Sequence, residues 1–284
     1  MPLIGFKVAN EQVTWSHLRD VWRAADDLEQ IDVGWNFDHF YPIRAESTEP
    51  CLEGWTMLAA LAEATHRIRL GCMVAAAPYR HPAVLANMVA TIDLVSDGRL
   101  ELGIGAGWHF PEAEAYGLTL PRDLTERFDL FDETLEVVMG LLANERTSFA
   151  GRYVTVTDAV LEPKGPQVPP PLTIGGSGRR RTLRAAARWA DWWNLPFFAP
   201  DEYAECCEVL AGHCEAIGRD PASIRHSTNL VVNDEASVDQ LAEEIGRQLA
   251  AGIDQPILYL KPPHRIDVLE RAASAVATLG IDHR

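Results

Sequence analysis

Apolar positions along the chain fall into two rhythms. Short runs of β-formers are separated by longer stretches in which apolar residues recur every three or four positions, the helical spacing. Leu3 to Ala9 reads as a strand, with Ile4, Phe6 and Val8 on one face. Thr14 or Ser16 caps a helix running to about Gln30, and Asp32 to Phe37 is a second strand ending in Asp38-His39-Phe40. After a loop with Pro42 and Pro50, a helix has its inner face on Trp55, Leu58, Leu61 and Ala62. Ile68 to Ala75 is a buried strand, and Pro82 opens a helix marked by Leu85, Met88, Ile92 and Val95. Ser96-Asp97-Gly98 stops that helix, and Leu100, Leu102 and Ile104 alternate as a fourth strand.

The same alternation continues. A polar and aromatic loop follows Trp108 and runs to Pro121; then Phe128, Phe131, Leu135, Val138 and Leu142 mark a long helix. Residues 147–157, with Gly151 at the middle, read as a small external hairpin, and the proline-rich stretch from Glu162 to Pro171 as an excursion. Four more strands are expected at Pro171–Gly175, Ala190–Leu195, His226–Asn233 and Pro256–Leu260. Helices follow them from near Arg179, over Asp201–Ile217 with an inner face of Tyr203, Cys207, Leu210, Cys214 and Ile217, over Val238–Leu249, and over Ile266–Leu279. About eight strands, each followed by a helix, predict a parallel sheet closed into a (β/α)8 TIM barrel, with residues 1–284 as one domain. The rival is an open doubly wound sheet; it is less favoured because the alternation passes the proline-rich connector unchanged. In both folds ligands meet the C-terminal ends of the strands.

Charge and composition narrow the partners. A formal net charge of -16 excludes nucleic acid and anionic membranes. No apolar run approaches the ~20 residues of a membrane span. The first residues enter a strand with no signal-peptide pattern, and five scattered cysteines fit a reduced compartment, so a cytoplasmic protein is expected.

Candidate chemistry lies at the strand ends. Gly175-Gly176-Ser177-Gly178 before a helix offers backbone N–H groups to a phosphate, and Arg179, Arg180, Arg181 and Arg184 follow. The competing reading is a solvated basic helix surface behind an ordinary glycine turn. Gly103, Gly105 and Gly107 stand at period two, which allows either close approach of a ligand or tight packing on one face. Gly103 to Trp108 is a poor dinucleotide fingerprint: its third glycine is one position early, and Asp123 falls at a helix start. Asp38-His39 reads as an acid/base pair or a ligand-positioning pair, with a hydrogen-bonded loop histidine as the competing reading of His39. His81 and His109 are weaker candidates. No metal motif and no serine-hydrolase elbow occur, and Cys206, Cys207, His213 and Cys214 read as core packing rather than ligands.

Taken together, Phe37-Asp-His-Phe40, Arg67-Ile-Arg-Leu-Gly-Cys-Met-Val74, Tyr79-Arg-His-Pro82, Gly98-Arg-Leu-Glu-Leu-Gly-Ile-Gly-Ala-Gly107 and Ile174-Gly-Gly-Ser-Gly178 resemble the bacterial luciferase-like flavin and deazaflavin oxidoreductases. The coenzyme F420-dependent subgroup is the best match. The resemblance implies the barrel, a cis peptide at Met73-Val74 behind the ring of the cofactor, and a homodimer. It implies that Asp38 hydrogen-bonds the ring and that His39 is a proton donor or acceptor. Gly107 and Trp108 would contact ring and substrate, and Gly175, Gly176, Ser177 and Gly178 would seat the phosphate. Some F420-dependent dehydrogenases have a carboxylate where this chain has Trp108 and His109, a departure that bears on alcohol and sugar-phosphate chemistry. Trp108, Phe197 and Phe198 point to a partly hydrophobic small-molecule substrate. The function expected is hydride transfer between F420 and that substrate; the alternatives are a reduced-FMN monooxygenase and a non-catalytic flavin-binding barrel.

Overall fold

The strands close on themselves. In the computed structural model, which describes residues 1–281, eight parallel strands pair in the cyclic order β1-β10-β9-β8-β7-β4-β3-β2. They are β1 (Gly5–Val8), β2 (Val33–Asn36), β3 (Arg69–Ala76), β4 (Leu100–Gly105), β7 (Leu172–Gly175), β8 (Trp192–Leu195), β9 (Arg225–Val231) and β10 (Gln255–Leu260). The barrel expected from the sequence is therefore the fold. Residues 282–284, the end of the expected 1–284 span, lie outside the described residues. No helix is long and apolar enough to cross a membrane among the described residues.

The helices between the strands follow from local chemistry. Thr14 accepts from His17 N at 3.3 Å and caps α1 (Trp15–Asp27), whose Leu18, Val21, Trp22 and Ala25 are buried. Trp55, Leu58, Leu61 and Ala62 form the buried face of α2 (Gly54–Ala64). Pro82 starts α3 (Pro82–Val95), and Asp123 caps α5 (Leu124–Ala143) by accepting from Glu126 N at 2.9 Å. The later helices are α6 (Thr182–Trp189), α7 (Pro200–Glu215), α8 (Val238–Ala250) and α9 (Ile266–Thr278). The hairpin is present as β5 (Thr147–Ala150) and β6 (Thr155–Ala159), antiparallel and outside the barrel.

Three expectations change. Cys206, not Cys207, joins Tyr203, Leu210 and Cys214 on the buried face of α7, and Ile217 lies past the helix, exposed. Two adjacent cysteines look alike in hydropathy, so the phase slipped by one. The helix after β7 begins at Thr182, three residues later than expected, which leaves Arg179 and Arg180 in the turn. The loop after Trp108 contains a short helix, α4 (Phe110–Ala115).

Candidate active site

The end of β2 carries two side chains into one cavity. Asp38 is buried, and its Oδ2 accepts from Arg80 Nη1 at 2.6 Å and from Ala76 N at 3.0 Å. Its Oδ1 is buried with no partner. Burial pushes this carboxyl above its ordinary range, and the Arg80 charge offsets only part of that. Arg80 also reaches Glu53, the residue that caps α2. The quoted Tyr79-Arg-His-Pro82 motif thus contains an ion-pair partner whose role the sequence did not disclose.

His39 stands beside Asp38 but is tied elsewhere. Its Nδ1 lies 2.9 Å from Glu112 Oε2, while Phe40 N donates to Glu112 Oε1 at 2.9 Å and His109 Nδ1 lies 3.1 Å from Oε2. Burial alone would raise the pKa of Glu112, but the bonds from His39, Phe40 N and His109 outweigh it and hold the group below its ordinary value. Glu112 is therefore a carboxylate, and each imidazole donates Nδ1–H to it. That places a proton on His39 Nδ1 and leaves Nε2 with no protein partner among the described residues. His39, His109 and Glu112 bring three potential metal-ligand atoms within 4.8 Å of one another, yet protons alone satisfy the contacts. Sequence reading missed Glu112. The departure at Trp108-His109 stands; three residues on, α4 places the buried Glu112 carboxylate against His39.

The third strand bends at the same place. Register between β3 and β4 shifts from Cys72 to Ala75, and the Met73–Val74 peptide is cis, as the resemblance implied. A Cβ on Gly103 would meet the Cys72 carbonyl oxygen at 2.2 Å, and one on Gly105 would meet Val74 Cγ2 at 2.7 Å. Of the two readings left open for these glycines, tight packing holds at Gly103 and Gly105. Gly107 differs: it takes a φ of +79° and lines the cavity.

The cavity, ≈370 Å³, is bounded by Asp38, His39, Met73, Val74, Gly107 and Trp108 on one side and by Gly175, Gly176, Asn194 and Asn229 on the other. Val74, Gly107, Trp108 and Gly175 also line a smaller cleft of ≈220 Å³. Phe128 lines both that cleft and a surface groove of ≈760 Å³ walled by Ser177, Gly178 and Arg179 to Arg181. The glycine turn therefore spans the clefts: Gly175 and Gly176 face the main cavity, Ser177 and Gly178 the outer groove. Gly176 has a φ of +122°, which a residue with a side chain rarely adopts. The arginines are mostly committed to acids: Arg179 to Glu205, Arg181 to Asp129 and Asp132, and Arg184 to Asp132. Phe197 lines the main cavity, whereas Phe198 packs against the hydrophobic core.

A family model described as luciferase-like monooxygenase matches residues 4–278. The F420-dependent hydroxymycolic acid dehydrogenase of Mycobacterium tuberculosis is 29% identical over 259 residues, 89% of this chain and 69% of that protein. The pyrimidine monooxygenase RutA of Escherichia coli (strain SMS-3-5) is 31% identical over 212 residues, 73% of this chain and 56% of that protein. The chain thus spans between about half and about two thirds of the length of these relatives. Among solved structures, an F420-dependent secondary alcohol dehydrogenase superposes with a TM-score of 0.86 at 19% identity, covering 97% of this chain and 99% of that one, which shows a shared fold.

Proposed function

The chain belongs to the luciferase-like monooxygenase family and is an oxidoreductase; on that premise we propose that it uses coenzyme F420 to exchange a hydride with a small, partly hydrophobic organic substrate. When bound, the deazaflavin supplies a carbon centre that gives or takes a hydride; the protein supplies position and proton handling. The observation that carries the reading is the Glu112–His39 pair, with Nε2 of His39 free at the cavity.

The residues present fit such a cofactor. Clefts that share lining residues lie between the bulge at Met73 and Val74 and the glycine turn, and Asp38, whose Oδ1 is buried without a partner, is among the residues around the main cavity. Asp38, Met73, Val74, Gly107 and Trp108 would surround the ring, and Gly175, Gly176, Ser177 and Gly178 would hold the phosphate through backbone N–H groups. Arg179, Arg181 and Arg184 are paired with acids, which leaves the turn itself and Arg180 for the anion. F420 in the name of a relative 29% identical supports the choice of cofactor. The likeness to RutA favours a second reading, FMN-dependent oxygenation in the same clefts. A cytoplasmic homodimer belongs to the first reading.

In the oxidative direction, His39 Nε2 would accept the hydroxyl proton of the substrate while the hydride leaves carbon. Glu112 would stabilise the imidazolium formed and keep its ring from turning. In the reductive direction the same nitrogen returns the proton to a carbonyl or imine. General acid–base groups of this kind contribute roughly 10²–10⁴-fold. His39→Ala should therefore lower single-turnover oxidation of reduced F420 by carbonyl and imine acceptors by about that factor. Unchanged turnover in this variant would remove the proton role.

A further inference from the structure

Two cations at the main cavity have no acid to hold. Lys7, the third residue of β1, lines the cavity and pairs in register with Trp35 and Tyr259. Its Nζ donates one hydrogen bond, to Met73 O at 3.1 Å, and lies 5.7 Å from the centre of the Tyr259 ring. An ammonium has three donors. Arg44, in the loop after β2, lines the same cavity with its guanidinium 4.7 Å from the centre of the same ring. No carboxylate among the described residues forms an ion pair with either cation. Glu11 accepts from Ile43 N through Oε2 at 2.6 Å; its Oε1 is buried without a hydrogen-bond partner, and it forms no ion pair with either cation. Arg80, by contrast, binds both Asp38 and Glu53.

In a chain with a formal charge of -16, two unmatched cations around one aromatic ring are an exception that calls for a counter-ion. Burial lowers the pKa of Lys7 to about 8, and the neighbouring Arg44 charge adds to that effect. Holding the Lys7 charge there costs stability that a bound anion would restore, while the exposed Arg44 keeps its charge in solvent. The same cavity carries apolar side chains, Ile43, Phe197 and the Trp108 ring, beside the polar Asp38, His39, Asn194 and Asn229.

We propose that Lys7, Arg44 and Tyr259 form the subsite for the negatively charged end of the substrate, and that the substrates are small carboxylates with an apolar body. This rests on the main cavity being the redox site, as argued above. Lys7 on the floor gives the direct charge-assisted hydrogen bond, and Arg44 at the mouth attracts the anion and closes over it. Ile43, Phe197 and Trp108 take the carbon chain.

The test uses hexanoate and its neutral counterpart hexanamide as probes. Each is titrated calorimetrically into the wild type, Lys7→Met and Arg44→Met, with and without F420; F420 affinity is measured on the same three proteins. Lys7→Met removes a buried charge, so it should fold at least as well as the wild type. The wild type should prefer hexanoate by about tenfold or more, and Lys7→Met should abolish the preference while hexanamide and F420 binding stay within about twofold. Arg44→Met should weaken the preference less, because its charge is solvated. Equal binding of the two probes to the wild type, or a preference that survives Lys7→Met, would overturn the proposal. So would a Lys7→Met protein that loses F420 affinity and keeps the preference, which would assign Lys7 to the cofactor. Failure of the wild type to bind F420 would count against the cofactor reading alone, since the preference is also read without it.

Discussion

The two ends of the barrel differ in how their charged groups are paired. At the N-terminal end, carboxylates close the strand starts: Asp32 accepts from Ile4 N at 2.7 Å, Asp26 from Ile68 N at 2.9 Å, Asp191 from Leu172 N at 2.8 Å and Asp254 from His226 N at 2.8 Å. Arg99 there gives hydrogen bonds to Ser96 O, Thr65 Oγ1, Ile68 O, Ala62 O and Thr65 O. At the C-terminal rim, Asp38 Oδ1 and Asn229 Oδ1 are buried without partners, and Lys7 and Arg44 have no acid. Unpartnered buried atoms occur elsewhere too, Gln248 Oε1 ahead of β10 among them, so the contrast between the ends lies in the charged groups: paired at the strand starts, and without an acid at Lys7 and Arg44. One end holds the fold and the other is built for a ligand.

Substitutions at the two ends should separate those roles. The largest effect belongs to the rim: His39→Ala should cost ~3–5 kcal/mol in turnover and a smaller ~1–2 kcal/mol in stability, since the buried Glu112 keeps its bonds from Phe40 N and His109. Arg99→Ala should do the reverse. It strips several acceptors of one donor and should cost ~2–4 kcal/mol of stability in a denaturant melt, with cofactor affinity per folded molecule unchanged. If Arg99→Ala instead changed affinity in the folded fraction, the division between the ends would fail.

A smaller effect sharpens the comparison. Lys7 is charged in the folded protein below about pH 8 and in the unfolded chain below 10.5. Between those values the unfolded chain binds the extra proton, so wild-type stability gains with rising pH across that window; below it the full cost is present. Lys7→Met should therefore be more stable than wild type at pH 7 by roughly 1–3 kcal/mol, with the advantage shrinking from pH 8 upward. Parallel melts at pH 7 and at pH 9.5 check this, and a constant difference would show that Lys7 bears no such cost.

How much of this was legible in the sequence depends on the range of the interactions. The strands and helices came from periodicity, because a barrel buries one face of each helix and both faces of each strand. The glycine turn came from composition and position. Glu112 was not legible: it meets His39 across 73 residues of chain, and no periodic pattern marks its loop. The spacing of His109 and Glu112, three apart behind a proline, was the one available hint. Lys7 could have been found. With Ile4, Phe6 and Val8 on the outer face of β1, strict alternation puts Lys7 inside the barrel, where an unpaired lysine is costly. The glycines of β4 needed coordinates, since the Cys72 carbonyl and the Val74 side chain that fill their space arrive from another strand.

The central claim is that the unsatisfied rim receives a deazaflavin. Equilibrium titration of the purified protein with F420 and with FMN, followed by absorbance and fluorescence under identical conditions, tests it most directly. The account predicts saturable one-to-one binding of F420 that is at least about tenfold tighter than that of FMN. Tight FMN binding with no F420 binding would contradict it.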